Sequence, residues 1–196
     1  MQTIPRVDAE FKTLIPPLAE EERRQLEENI LTGKKCRDAI VLWNGVIVDG
    51  HNRYEICTQH GIEFEVTEVD FASREEAKLW ILENQLSRRN LTDAARIELA
   101  LTKVGMLQER ARRNLSRAGG DKKSAGSPLT KSSTLPDEKV NIRKVAAALA
   151  DTSEGTLQNY LQLKASANPQ LMEKVQNGDL KMAQPTVCYP NKSSGN

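Results

Sequence analysis

A hairpin that runs directly into a helix restricts the fold of this chain more than any other feature. Two β-rich apolar runs, residues 40–43 and 46–48, are separated by Asn44-Gly45. Asn-Gly is the strongest short-range signal for a two-residue hairpin turn, because both turn positions need φ > 0. Gly50 follows the second run and lets the backbone turn sharply. The sequence therefore predicts two paired strands, a glycine turn and a helix in immediate succession.

Polar side chains occupy this turn and the start of the helix. Asp49, His51, Asn52 and Arg53 surround Gly50. A helix N-terminus leaves backbone N–H groups unpaired and carries a partial positive charge, so His51 and Arg53 beside it favour a bound phosphate. Asp49 is suited either to cap the helix or to hold a metal-bound water. From these residues alone, an ordinary capped helix with a solvated Arg53 stays an open alternative.

The composition indicates two small, mostly helical domains. The chain has 196 residues, with 28 Lys+Arg against 27 Asp+Glu, and this length fits two small domains better than one large one. Because only 4% of the residues are aromatic, the cores must rest on aliphatic residues, which favours helices. No apolar run approaches the roughly 20 residues that a membrane span needs, and residues 1–6 lack a signal-peptide profile. The 3 cysteines form no CxxC pair, so zinc and disulfide frameworks are disfavoured and a cytoplasmic protein is expected.

Helical patterns flank the hairpin. Helices are predicted over residues 18–31, over residues 54–59 as the continuation of the helix after Gly50, over residues 74–84, and from residue 92 onwards. Ser73 and Glu76 form a capping-box pattern at the start of the third of these. The fourth carries apolar residues at helical spacing, namely Ile97, Leu101, Val104, Ala111 and Leu115. Ile62, Phe64 and Val66 alternate with polar residues, which predicts a half-buried strand.

A change of composition divides the chain. Residues 116–140 are rich in Gly, Ser, Lys and Pro and show no periodicity, which predicts a flexible linker. Domains are therefore predicted over residues 1–115 and 141–185. Residues 186–196 are expected to form a disordered tail.

The second domain carries the spacing of a helix-turn-helix. Ala147 stands where two helices touch, Asp151 at a tight turn, and Leu157 as the apolar anchor of the second helix. Asp tolerates the left-handed conformation better than most residues. Polar residues of the second helix are predicted to contact DNA: Ser153 and Lys164 at phosphate, and Gln158, Asn159 and Gln162 at base edges in the major groove. Ordinary packing of two short helices is the alternative.

A second polar cluster follows the helix predicted over residues 74–84. Glu83 and Asn84 are followed by Arg88 and Arg89. A carboxylate there can hold Mg²⁺ through water, an amide can contact sugar or phosphate, and an arginine can neutralise phosphoryl charge. The alternative is a helix end with two solvated arginines.

The order and spacing of these motifs resemble those of the ParB family. The chain carries Asp49-Gly50-His51-Asn52-Arg53-Tyr54, then Glu83-Asn84 to Arg88-Arg89-Asn90-Leu91, then the helix-turn-helix pattern, over roughly residues 18–183. The resemblance implies an α/β (α+β) N-terminal domain of the ParB/sulfiredoxin-like type, with a small mixed sheet, and an all-α helix-turn-helix domain. It also implies that CTP binds with Mg²⁺ and is hydrolysed slowly while the protein clamps DNA.

The resemblance also assigns a nucleotide site. The family's Gly-x-Arg-Arg box falls on Gly50–Arg53, where Asn52 replaces the first arginine, and its Glu-Asn-x-x-Arg box falls on Glu83-Asn84, with the arginine one residue late at Arg88. The implied nucleotide-binding residues are Asp49, Gly50, His51, Asn52, Arg53, Asn84, Arg88 and Arg89, and Glu83 is the implied metal ligand and catalytic residue. The Gly50 turn has no cysteine, so the sulfiredoxin activity is disfavoured.

The expected function is that of a ParB-like DNA-binding protein in plasmid or mobile-element partition or in transcriptional control. Its expected partners are double-stranded DNA, a nucleoside triphosphate and a second copy of the chain, with no membrane. The main alternative is a nucleotide-dependent phosphotransferase of the serine-kinase type, with Asp49 or Glu55 as base or metal ligand. A nuclease on the same fold is a third interpretation. The helix-turn-helix favours the first function, because a metabolic kinase has no need of one.

Overall fold

The structure is a computed structural model that describes residues 4–88, 90–118, 142–166, 168–176 and 178. Its contacts divide the chain into two units, the first within Met1–Arg89 and Thr102–Lys123 and the second within Asn90–Leu101 and Ser124–Asn196. Residues 90–101, which the sequence places in the N-terminal domain, group with the second unit. The predicted linker is described only as far as residue 118, where it is still helical, and the predicted tail lies outside the described residues.

The described residues form a mixed α/β fold with three strands and eight helices. In chain order the elements are α1 (Ala9–Thr13), α2 (Glu20–Gly33), β1 (Ile40–Trp43), β2 (Val46–Asp49), α3 (His51–His60), β3 (Val66–Glu68), α4 (Arg74–Leu86), α5 (Asp93–Ala118), α6 (Ile142–Leu149), α7 (Glu154–Ala165) and α8 (Pro169–Gln176). The predicted fold class, an α/β fold with a small mixed sheet, is confirmed.

The hairpin forms as the sequence predicts. β1 and β2 are antiparallel, and the turn residues Asn44 and Gly45 adopt φ values of 50° and 73°. β3 lies parallel to β1 on its other side, which gives the strand order β2-β1-β3. The strand predicted from Ile62, Phe64 and Val66 is wrong in its position, because pairing begins only at Val66. Ile62 and Phe64 are apolar because they pack against a core between α2 and α3, and neither belongs to a strand of the sheet.

Both faces of the sheet are covered. Alternate residues of a strand point to opposite faces, so Val48 of β2 packs with Phe11 of α1 and Ile81 of α4. Ile47 packs on the other face, with β1 and with Tyr54 of α3. Burial on both faces fixes the register of β2, and with it the point at which α3 begins.

A network of ion pairs joins α1 to α4. The Arg74 guanidinium donates to Asp8 at 2.7 and 2.8 Å and to Glu10 at 2.8 Å, and it lies 4.4 Å from the centre of the Phe11 ring. Lys78 also donates to Glu10. The hydrogen bond from Arg74 holds the pKa of Asp8 below its usual value, and those from Lys78 and Arg74 do the same for the pKa of Glu10.

Replacement of Arg74 by methionine is expected to flatten the acid dependence of stability. A carboxylate whose pKa is lowered on folding contributes stability that is present above its unfolded-state pKa and is lost as the pH falls through its folded-state pKa. Asp8 and Glu10 therefore make the wild-type protein lose melting temperature between about pH 6 and about pH 3, and Arg74→Met should lose less over that range.

Circular dichroism melts at both pH values measure this difference. Arg24→Met is the matched control, because Arg24 forms an exposed ion pair with Glu21 one turn away on α2. An Arg74→Met variant with the same acid dependence as wild type would show that the network does not stabilise α1.

Ion pairs join α5 to α4. Lys103 donates to Glu83 at 2.8 Å, and Arg113 to Glu75 at 2.6 Å. Leu115, which the sequence assigns to the apolar face of this helix, is 74% exposed. The prediction of a continuous buried face is wrong there, because α5 has 26 residues and α4 only 13.

In the second unit, α6 and α7 contact each other across a tight turn. Asp151 adopts φ of 53°, the left-handed conformation, and Ser153 caps α7 by accepting a backbone N–H at 3.0 Å. Leu157 is buried as predicted, together with Tyr160 and Leu163, whereas Leu161 is half-buried. The turn geometry is as predicted, and its role in DNA binding stays a prediction.

Candidate functional site

The turn between β2 and α3 requires glycine for two reasons. Gly50 adopts φ of 92°, and a Cβ there would lie 3.0 Å from Ile40 Cδ1 and 3.1 Å from Arg53 Nη2. The N-cap residue of α3 is Gly50, so no capping side chain accepts a hydrogen bond from the first-turn N–H groups of this helix. A helix terminus of this kind favours an anionic ligand.

One carboxylate joins the two sequence boxes of the predicted site. Asp49 Oδ2 accepts from Arg53 Nη2 at 3.2 Å, and Asp49 Oδ1 accepts from Arg88 Nη2 at 3.0 Å. Arg53 Nη2 also donates to the carbonyl of Ala39 at 3.1 Å. The structure thus brings three predicted residues together, but Arg53 supports the Gly50 turn from within rather than presenting a solvated guanidinium.

His51 lies in a cleft on another side of α3. The residue is only 6% exposed, and among the described residues neither of its ring nitrogens has a hydrogen-bond partner. The cleft has a volume of ≈ 340 Å³ and is lined in part by Lys12 of α1 and by Tyr54, Glu55 and Thr58 of α3. Burial lowers the pKa of His51. Burial therefore favours the neutral ring, which carries one donor and one acceptor.

The other described residues of the two boxes are Asn52, Glu83 and Asn84. Glu83 accepts from Lys103 at 2.8 Å, and its side chain is 59% exposed. Asn84 and Asn52 are half-buried, and Arg89 lies outside the described residues. Within the described ranges, no three His, Cys, Asp or Glu residues lie close enough together to hold a metal ion.

The sequence did not predict that Lys12 lines the cleft, or that the cleft extends along α3. His51, Tyr54, Glu55 and Thr58 recur at helical spacing along one face of α3, so their shared face is readable from the sequence. Lys12 lies on a different helix, and no local pattern connects it to His51. Only the packing of α1 beside α3 brings its ammonium group to the cleft.

The predicted DNA-contacting residues of α7 fall into two groups. Ser153, Asn159 and Gln162 are exposed. Gln158 is half-buried, and its Oε1 is enclosed without a hydrogen-bond partner among the described residues. Lys164 donates to Glu98 of α5 at 2.6 Å, and burial together with the hydrogen bond to Glu98 raises the pKa of Tyr160.

Solved structures provide the clearest comparison. No protein-family model matches the chain, and no curated protein does. A pNOB8-like ParB N-domain, in its C2221 crystal form, superimposes with a TM-score of 0.57 at 20% identity, over 91% of this chain and 72% of that one. The chain has the fold of a ParB N-domain. A second structure of the pNOB8-like ParB N-domain matches with a TM-score of 0.52 at 20% identity, over 86% of this chain and 63% of that one.

This comparison confirms the fold that the resemblance implies for the N-terminal domain, and the helix-turn-helix part of the resemblance stays a prediction. At 20% identity the comparison establishes the fold, so ligands and partners must be argued from the residues of this chain. No helix in the described part of the chain is long and apolar enough to cross a membrane.

Proposed function

We propose that this chain is a ParB-like DNA-binding protein that acts in partition or transcriptional control and binds a nucleoside triphosphate at the N-terminus of α3. The family resemblance favours CTP as the nucleotide. Double-stranded DNA and a second copy of the chain are its proposed macromolecular partners, in the cytoplasm.

The observation that carries the nucleotide site is His51. A buried imidazole without a partner loses hydrogen bonds that a ligand can restore. It stands at the first position of α3, where backbone N–H groups and the helix dipole attract phosphate. Lys12 adds a cation to the same cleft. The cleft volume of ≈ 340 Å³ is at the small end of the range for ligand pockets.

Magnesium is part of the proposal because the second box offers oxygen donors. Mg²⁺ prefers one or two carboxylates together with substrate phosphates, and Glu83 is an exposed carboxylate five positions before Arg88. A bound Mg²⁺ would supply positive charge that neutralises the phosphates. Slow hydrolysis of the nucleotide, with Glu83 as the catalytic residue, belongs to the same proposal.

Calorimetric titration of the four nucleoside triphosphates against wild type and His51→Ala tests the site. The variant is expected to bind the preferred nucleotide about tenfold more weakly, because it removes a buried hydrogen-bonding group. His60→Ala is the matched control, since His60 lies at the other end of α3 and is paired with Glu27. Arg53→Ala is expected to weaken binding by ~1.5–3 kcal/mol, but it also removes support from the turn, so His51→Ala is the sharper variant.

Equal binding by His51→Ala and wild type would refute the assignment of the cleft. A preference for ATP over CTP, with phosphoryl transfer to free serine, would move the assignment to the phosphotransferase. Glu55 favours that second function, because its carboxylate lines the same cleft, where it is paired with Arg23 at 3.3 Å and Lys12 at 3.9 Å. Asp49 suits it less, because its side chain is only 12% exposed, against 49% for that of Glu55.

A further inference from the structure

The two arginines that share Asp49 are not equivalent. The side chain of Arg53 is 19% exposed, and a second bond to the carbonyl of Ala39 fixes it in the interior. Arg88 is the residue directly after the C-cap of α4, and its side chain is 36% exposed. Arg88 is therefore the partner of Asp49 that an incoming anion can reach.

We propose that Asp49 is a tethered competitor for Arg88, so that a polyphosphate bound at the α3 N-terminus takes this guanidinium over from the carboxylate. The inference rests on the proposed nucleotide function and adds the residue that sets its affinity. A carboxylate and a phosphate use the same charge-assisted donors of an arginine. Asp49 immediately precedes Gly50, the N-cap of α3, so its carboxylate would repel a phosphate that binds at the first-turn N–H groups.

Competition makes a different prediction from simple repulsion. Repulsion acts on the ligand directly and does not depend on Arg88. Competition costs affinity only while Arg88 is there to be shared. Removal of the Asp49 charge should therefore strengthen binding much more in the presence of Arg88 than in its absence.

The test is a double-mutant cycle on the binding of inorganic triphosphate to the full chain, measured by calorimetry at constant ionic strength. Asp49→Asn keeps the shape and one acceptor oxygen while it removes the charge. It is expected to raise affinity about tenfold with Arg88 present and less than about twofold in an Arg88→Met background. Asp70→Asn is the matched control, because Asp70 is an exposed loop residue of the same unit. Its affinity should stay within about twofold of wild type.

Two outcomes overturn the proposal. Equal gains in both backgrounds would show repulsion alone, and a loss of affinity in Asp49→Asn would show that the carboxylate positions Arg88 for the ligand. If CTP binds wild type and the cycle shows no coupling, only the competitor fails. If neither triphosphate nor CTP binds any folded variant, the nucleotide function fails and the competitor fails with it.

A measurement on the unaltered protein covers the case in which Asp49→Asn does not fold. In protein labelled with ¹³C at the aspartate carboxyl groups, saturating triphosphate is expected to shift the Asp49 resonance and leave that of Asp70 in place. An Asp49 resonance that does not move at saturation contradicts the exchange of partners.

Discussion

Gly50→Ala is expected to lower the free energy of unfolding by about 2–4 kcal/mol, the sum of two costs. The φ of 92° lies in the left-handed region, where a residue with a Cβ loses about 1 kcal/mol or more relative to glycine. The new Cβ would also lie 3.0 Å from Ile40 Cδ1 and 3.1 Å from Arg53 Nη2. Overlap of this kind in a packed interior adds about 1–3 kcal/mol, and displacement of Arg53 would disturb its bond to Asp49.

Urea denaturation of Gly50→Ala and Gly61→Ala separates the two costs. Gly61 ends α3 with φ of 64°, but a Cβ there would meet nothing within 4 Å. Gly61→Ala should therefore show only the conformational cost, about 1 kcal/mol. If the two variants are equally destabilised, the close approach at Gly50 contributes nothing.

Loss of DNA sequence preference is the second large effect, expected for the double variant Asn159→Ala, Gln162→Ala. The two amides are exposed and lie one turn apart on α7, as base-reading residues of a recognition helix do. Each good bidentate contact is worth ~1–3 kcal/mol of discrimination between bases. Salt-dependent, non-specific affinity should persist, because phosphate contacts supply it. Gln158→Ala should matter less, since its amide oxygen is enclosed.

Selection from a random DNA library, followed by titration of the winning sequence at two salt concentrations, measures this loss. Gln170→Ala is the matched control, because Gln170 is an exposed amide on α8 of the same unit. If wild type selects no sequence, or if the double variant discriminates as well as wild type, α7 is a packing element and does not read DNA.

Local patterns predicted the elements around the candidate site because their interactions reach only a few residues. The Asn44-Gly45 turn depends on two φ values. Ser73 caps α4 through the N–H of Glu76, three positions on, although the Glu76 carboxylate accepts from Ala72 rather than completing the reciprocal box at Ser73. Such contacts join residues only a few positions apart, so their patterns can be read from the sequence.

The sequence assigned residues to the candidate site but could not predict their partners. Asp49, Arg53 and Arg88 were each assigned to the nucleotide site, and in the structure the carboxylate of Asp49 pairs with both arginines. The bond between Asp49 and Arg88 joins positions 39 apart, and that between Lys164 and Glu98 joins positions 66 apart. The sequence does not show which opposite charge will lie beside a given charged side chain, because packing decides that.

By itself, the sequence determined where the hairpin turns, where α3 begins and why Gly50 must stand between them, because glycine conformation and β-branched runs act locally. Only the tertiary structure decided that β3 pairs with β1, that His51 is buried with no hydrogen-bond partner among the described residues, and that Lys12 shares its cleft. Periodicity states that a face is buried but not what covers it. The partner of a buried or charged side chain is therefore set by the packing of distant elements.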